Sequence, residues 1–251
     1  MLENIRHGRL LPVEITKINE VGCANNEKNS EEQLILTSRN DTADRINSEH
    51  LNSITEPLFE FLGIIQGEFN KQSFPAPLSL KLKKGTRVML TQNDSMHRWV
   101  NGSVGSVYDV AEEKIVVELD NGGRYEISRV EWENIRYHYN RVTRKLDKKV
   151  IGTFTQFPLK LAWAITIHKS QGMTFDKLKL DLQMGVFMPG QLYVALSRVC
   201  TLEGLYLTSP IRLHYIMGKY EIDKFLGEYS DINLIGEDIQ LYAGYYEALQ
   251  R

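Results

Sequence analysis

Five consecutive polar residues, His168-Lys169-Ser170-Gln171-Gly172, follow an apolar run. Gly172 permits close backbone approach to an anion. Ser170 can cap the turn, Gln171 can hold a water or a phosphate oxygen, and Lys169 supplies charge. A Gly-bounded loop with free backbone N–H groups is what a phosphate site needs. The same residues also suit a solvated helix end, and so short a motif does not separate the two. Arg198 closes an otherwise small and apolar stretch, 191–199. It is either a charge complementing a helix C-terminus or an arginine finger. In the latter role its planar fork stabilises charge on a transferring γ-phosphoryl group, worth roughly 10³–10⁵ in rate. Arg39, just after a short apolar run, either faces a phosphate or is a surface arginine in a polar turn. In the stretch 93–102, Arg98 and Trp99 could stack on bases or line a strand-binding groove. A Trp in a small barrel is as readily core. Met184, Met188 and the phenylalanines near them read as core or gap-filling residues. No G-x-x-x-x-G-K-[ST] loop occurs, so the main cradle for a nucleoside triphosphate is missing.

The elements that must position these residues can be read from periodicity. Residues 1–30 are polar and end in CANNEKNSEE, which reads as a loop. QLILT (33–37) is a short buried strand. Ser38-Arg39-Asn40-Asp41 then offers helix caps, with Ala43, Ile46, His50 and Ile54 at helical spacing. Residues 63–79, with Gly63, Gly67, Pro75 and Pro77, read as a connection. From 81 to about 157 the texture is short strands and turns: 86–90, 103–108, 114–119 and 124–130, with Asp120-Asn121-Gly122-Gly123 a hairpin turn. That spacing suggests a small SH3-like barrel. After Pro158 α/β grammar returns. LKLAWAITI (159–167) reads as a buried helix, 177–182 and 204–208 as strands. Pro189 sits at a helix start, with Leu192, Ala195, Leu196 and Val199 along one face. The tail after Ile211 has loosely helical spacing.

Composition bounds the partners. Thirty Lys and Arg face 32 Asp and Glu, a net charge of −2, so any nucleic-acid site is a local patch rather than a global field. Cys23 and Cys200, far apart and without a C-x-x-C partner, read as inert thiols, and no metal site is expected. No signal-peptide core or membrane-spanning run occurs, pointing to a cytoplasmic location, or a nuclear one in a eukaryote.

Together these segments resemble superfamily-one 5′-to-3′ DNA helicases of the Pif type, with RecD-like enzymes as more distant kin. LAWAITIHKSQGMTFD looks like the family's fifth motif and GQLYVALSR like its sixth. LILTSRNDTADRIN resembles its fourth, and KLKKGTRVMLTQND with RWVNGSVG resembles the entry into its inserted SH3-like domain. The resemblance covers roughly residues 1–215, in the family's order.

The resemblance implies an α/β fold: a RecA-like domain (1–80 and 158–215) interrupted by an SH3-like barrel (81–157), then a helical tail (216–251). It implies that Thr166, His168 and Lys169 lie toward single-stranded DNA and that Gln171 and Gly172 couple that track to the nucleotide γ-phosphate. Arg198 would be the arginine finger and Arg39 a second phosphate contact. Arg98, Trp99 and Asn101 would lie near the DNA path. ATP and Mg²⁺ would be held with a further N-terminal RecA-like domain, in cis or in trans, carrying the Walker motifs. This chain is then expected to neither bind Mg-ATP tightly nor hydrolyse it alone. It would be an expressed second half of the enzyme or a natural truncation. A non-catalytic single-strand-binding module, or a subunit completing a helicase in trans, are the other readings.

Overall fold

The computed structural model describes residues 1–28, 33–70, 73–112, 114–140 and 145–217. Helices α1 (Leu2–Arg6) and α2 (Pro12–Lys28) precede β1 (Ile35–Thr37) and α3 (Asn40–Ser53). Ten strands follow: β2 (Phe59–Leu62), β3 (Ile64–Gly67), β4 (Ser79–Leu82), β5 (Arg87–Leu90), β6 (Val104–Ala111), β7 (Lys114–Leu119), β8 (Arg124–Ile127), β9 (Val130–Asn140), β10 (Lys145–Gln156) and β11 (Leu159–Leu161). Then come β12 (Ala164–Thr166), β13 (Leu178–Asp181), α4 (Gln191–Leu196) and β14 (Leu205–Leu207). The class is α/β, as expected.

The strands β12-β1-β13-β14 form a parallel sheet in that order. Both its faces are covered, which is why β1, β12 and β14 are mostly apolar, while β13 alternates Leu178 and Leu180 with Lys179 and Asp181. Leu36, Ile167, Leu178, Leu180 and Leu205 are buried in its core. On one side lies α2, whose Asn19 exchanges hydrogen bonds with the Ile211 backbone, while its Asn25 amide donates to the carbonyls of Glu203 and Leu205. Gly22 lets α2 sit close to β14: a Cβ there would fall 2.6 Å from Leu207 Cγ.

On the other side, α3 covers the edge strand β12. Asn47 acts as a surrogate strand there. Its Oδ1 accepts from the Trp163 and Ala164 N–H groups, and its Nδ2 donates to the Ala164 carbonyl at 2.8 Å. The edge thus has its backbone groups satisfied within the fold.

The antiparallel sheet runs β11-β5-β6-β7-β8, with a two-stranded sheet β2-β4 beside it. Ile115, Val117 and Leu119 point inward from β7, and Phe61, Leu80, Leu82, Trp99, Phe157 and Leu159 join them in one core. The turn expected at Asn121-Gly122 is there, with Gly122 at φ +90°. Gln156, fully buried, joins the small sheets: its amide donates to the carbonyls of Phe61, Pro77 and Leu78, and its oxygen accepts from Phe157 N–H.

Five expectations need correcting. Residues 159–167 are buried but not helical; they are β11 and β12, which belong to different sheets. A short apolar run bears no period that separates a buried helix from a buried strand. The first 30 residues are not a loop, since α2 occupies much of them. Its inner face carries Ile15, Ile18 and Gly22, so the apolar stripe is thin and asparagines complete the docking. The connection expected at 63–79 contains β3 and the first residue of β4, and β3 pairs with β10 of a long β9-β10 hairpin. Met184, Phe187 and Met188 are not core: they are 61%, 57% and 46% exposed, on the loop between β13 and α4. The antiparallel sheet also continues to Leu161, past the barrel limit expected at 157. Of the tail beginning at 216, residues 218–251 lie outside the described residues. Cys23 and Cys200 are both free thiols.

Candidate nucleotide and nucleic-acid interface

Strands β1 and β12 run in parallel with Thr37 beside Thr166. At this carboxyl end their chains diverge, the place where an open α/β sheet forms a crevice. One chain passes through Ser38 and Arg39 into α3. The other is held by Ile167 N–H to the Thr37 carbonyl at 2.9 Å, then turns through a 3₁₀ segment, His168–Ser170. The crevice between them has a volume of about 650 Å³ and is walled by Ser38, Arg39, Asp41, Thr166, His168 and Lys169, with Phe187 at its side. Ser38 is buried, and its hydroxyl has no hydrogen-bond partner.

Each predicted residue can now be placed. Thr166 is buried at the crevice floor, while His168 and Lys169 are exposed. Ser170 is committed to the turn, its hydroxyl donating to the Ile167 carbonyl at 2.7 Å. Gly172 adopts φ +78° with no atom near the position of a Cβ, so conformation rather than crowding demands glycine. Arg39 is the N-cap of α3. Its exposed guanidinium is 3.4 Å from Asp41 Oδ1, a loose surface pair.

Lys169 also borders two further clefts. One lies against α3 and contains Asp44, Asn47, Lys81, Lys160 and Thr166. The other, toward the antiparallel sheet, contains Pro77, Thr91, Asn101, Lys160, Gln171 and Met173. Arg39 thus shares a crevice with Thr166, His168 and Lys169, whereas Gln171 shares one with Asn101. Lys169 belongs to both.

Arg198 is tied to the same loop from the far side. Its Nε donates to the Val194 carbonyl, Nη1 to the Met173 carbonyl and Nη2 to Ser197 Oγ, at 3.0, 2.9 and 2.9 Å. Phe175 N–H donates to the Arg198 carbonyl, so residues 173–175 and the end of α4 are laced together. Three of the five guanidinium N–H groups are used in this way, which leaves two for a ligand. Gln191, buried at the start of α4, donates to the Ser38 carbonyl and connects this helix to the crevice.

No family model matches the chain. The ATP-dependent DNA helicase Pif1 of Bdellovibrio bacteriovorus is 34% identical over 212 residues, covering 82% of this chain and 46% of that protein. Pif1 of Campylobacter jejuni is 29% identical over 201 residues, covering 75% and 45%. Among solved structures, Bacteroides sp Pif1 in complex with ADP-AlF4 superposes with a TM-score of 0.80 at 36% identity, over 91% of this chain and 52% of that one. The chain is related to the Pif1 DNA helicases. Bacteroides Pif1 bound to single-stranded DNA also matches, with a TM-score of 0.68 at 37% identity, over 91% and 52%. The chain spans about half the length of these relatives. The parallel sheet is that of the RecA-like fold of Pif1 helicases.

Within this Pif1-type fold, the segment at Arg98 is arranged differently from the crevice. Arg98 donates from Nε and Nη2 to both oxygens of Asp94, each at 2.8 Å. These hydrogen bonds hold the Asp94 carboxyl well below the usual carboxylate range and push the Arg98 guanidinium up. Arg98 also lies 4.6 Å over the Trp99 ring. Trp99 is only 9% exposed and belongs to the core of the antiparallel sheet, the alternative that composition left open. Asn101 receives no such cover. Its backbone N–H donates to Asn93 Oδ1 at 2.7 Å, and the residue lines the cleft with Lys169.

One residue escaped sequence reasoning. Lys160, on β11, is part-buried and lines both clefts beside Lys169. Burial, assisted by the Lys169 charge, pushes its ammonium down to about 8. The available signal was a lone lysine inside the apolar run LKLAWAITI, since lysine is seldom buried unless paired.

Proposed function

We propose that this chain is the C-terminal motor portion of an ATP-dependent 5′-to-3′ DNA helicase, contributing single-strand contacts and an arginine finger. The observation that carries this reading is the convergence of Thr166, His168 and Lys169 on the crevice at the carboxyl ends of β1 and β12. Lys169 reaches from there into the cleft of Asn101 and Gln171. Strand phosphates would follow this path, held by Lys169 and hydrogen-bonded by Thr166 and His168. The relatives are ATP-dependent DNA helicases, and structures of one of them contain single-stranded DNA or a nucleotide analogue.

Arg198 would act on the γ-phosphate with its two free N–H groups while the Met173 carbonyl holds its fork. Because that carbonyl follows Gln171 and Gly172, a shift of the loop under DNA would displace the finger as well. That supplies a physical link between strand and nucleotide. The chain has no P-loop sequence, so the phosphate cradle would come from a further RecA-like domain, in cis or in trans. Magnesium would be held there too. Among the described residues, no three His, Cys, Asp or Glu converge on a metal position, so the donors here do not fit that ion by themselves. On this reading the chain alone does not turn over ATP.

Binding of the chain to a fluorescent oligothymidylate, at low and moderate salt and with and without an ATP analogue, tests the proposal. Salt-sensitive binding that ignores nucleotide is expected. Absence of binding at low salt would remove the strand track from this half.

A further inference from the structure

Lys160 and Lys169 form an uncompensated pair of cations. Among the described residues, neither ammonium group has a hydrogen bond or an ion pair. Lys160 is drawn into the fold because β11 pairs with β5, with Lys160 opposite Met89. Its neighbours Leu159 and Ala162 are buried. The cleft it shares with Lys169 is otherwise walled by Pro77, Leu78, Thr91, Asn101, Gln171 and Met173, and no carboxylate lines it. Thr91 there has a buried hydroxyl without a hydrogen-bond partner. On the α3 side, Asp44 and Lys81 are the remaining charged residues lining the neighbouring cleft.

Two like charges held together, one of them desolvated, raise the energy of the free protein unless an anion joins them. Two cations lining one cleft, with the Gln171 and Asn101 amides beside them, suit the oxygens of a phosphate group. We propose that Lys160 and Lys169 together grip one backbone phosphate of the bound nucleic-acid strand. This rests on the strand-binding reading above and adds a residue to it.

The linked proton gives the contact a signature. In the free chain Lys160 loses its proton as pH rises through about 8. A phosphate between the two lysines favours the charged form, so binding above that pH takes up a proton and affinity falls as pH rises. Arginine at this position stays charged and removes the dependence.

The test measures affinity for an oligodeoxyadenylate, whose bases do not titrate in this range, from pH 7 to pH 9. Wild type, K160Q, K160R and K169A are compared, with thermal midpoints as a folding control. K160Q is expected to bind about tenfold more weakly at pH 7, the loss of one charge-assisted contact. Wild-type affinity is expected to fall several-fold between pH 8 and pH 9, and that of K160R to stay flat. Should K160Q fail to fold, the flat K160R profile alone decides. Weak binding by K169A with an unaltered K160Q and equal pH profiles would overturn the proposal while leaving the strand track intact. No binding by wild type would overturn both. If K160Q instead weakens an ATP analogue's binding to the complete helicase and spares the oligonucleotide, the phosphate is the nucleotide's and the proposal fails.

Discussion

Two clefts in this molecule each set a cation beside apolar side chains, yet their electrostatics are opposite. In the cleft between Lys169 and the antiparallel sheet, Lys160 and Lys169 have no carboxylate partner among the described residues. In the loop before β6, Arg98 is gripped by both oxygens of Asp94 and rests on Trp99. The second cation is paired within its own chain. The first two have no such partner among the described residues. Sequence composition shows a basic residue beside an aromatic or a glycine in either place. Only the partner, or its lack, separates a brace from a binding site.

The sharpest way to break this contrast is at Arg198, whose fork is braced yet has donors to spare. In the complete helicase, R198A is expected to lower ATP turnover by about 10³-fold or more while single-strand affinity changes less than twofold. Turnover near wild type would return Arg198 to the class of structural braces. Next in size is Asn47, which satisfies the buried edge of β12 and so holds Thr166 in register. N47A leaves those buried backbone groups unpaired and is expected to cost about 1–3 kcal/mol in chemical denaturation. A loss under a few tenths would mean that the edge finds other partners.

A smaller effect is expected at Asp94. Its carboxyl titrates below the ordinary range because Arg98 hydrogen-bonds the charged form. A lowered folded-state pKa contributes stability above the unfolded value of about 4, lost as pH falls through the folded one. D94N should therefore lower the thermal midpoint equally at pH 6 and pH 8, and the gap to wild type should close in strong acid. A gap that persists there would point to packing rather than charge.

How much of this was legible in the sequence follows from the same contrast. Three strands of the parallel sheet, β1, β13 and β14, were visible as short runs, and the β7-β8 hairpin as Asn-Gly between alternating residues. Helix α2 was not visible, because asparagines and a glycine perform docking that a sequence pattern assigns to leucines. The run 159–167 was legible as buried but not as two strands. Its division depends on Asn47, more than a hundred residues earlier in the chain. Exposure of Met184, Phe187 and Met188 could not be inferred, since apolar character alone does not say whether a neighbour covers it. The residues around Lys169 were singled out from the sequence, whereas Lys160, a lone lysine in an apolar run, stands out once both clefts are seen to meet beside it.

The most direct measurement of the central contrast is the salt dependence of single-strand binding by K169A and R98A, side by side with wild type. A cation that neutralises a strand phosphate releases a counterion, and its removal lowers the logarithmic salt slope by about one. The account predicts that K169A loses that unit and binds weakly at low salt, while R98A keeps the wild-type slope. A slope lost in R98A and retained in K169A would contradict it.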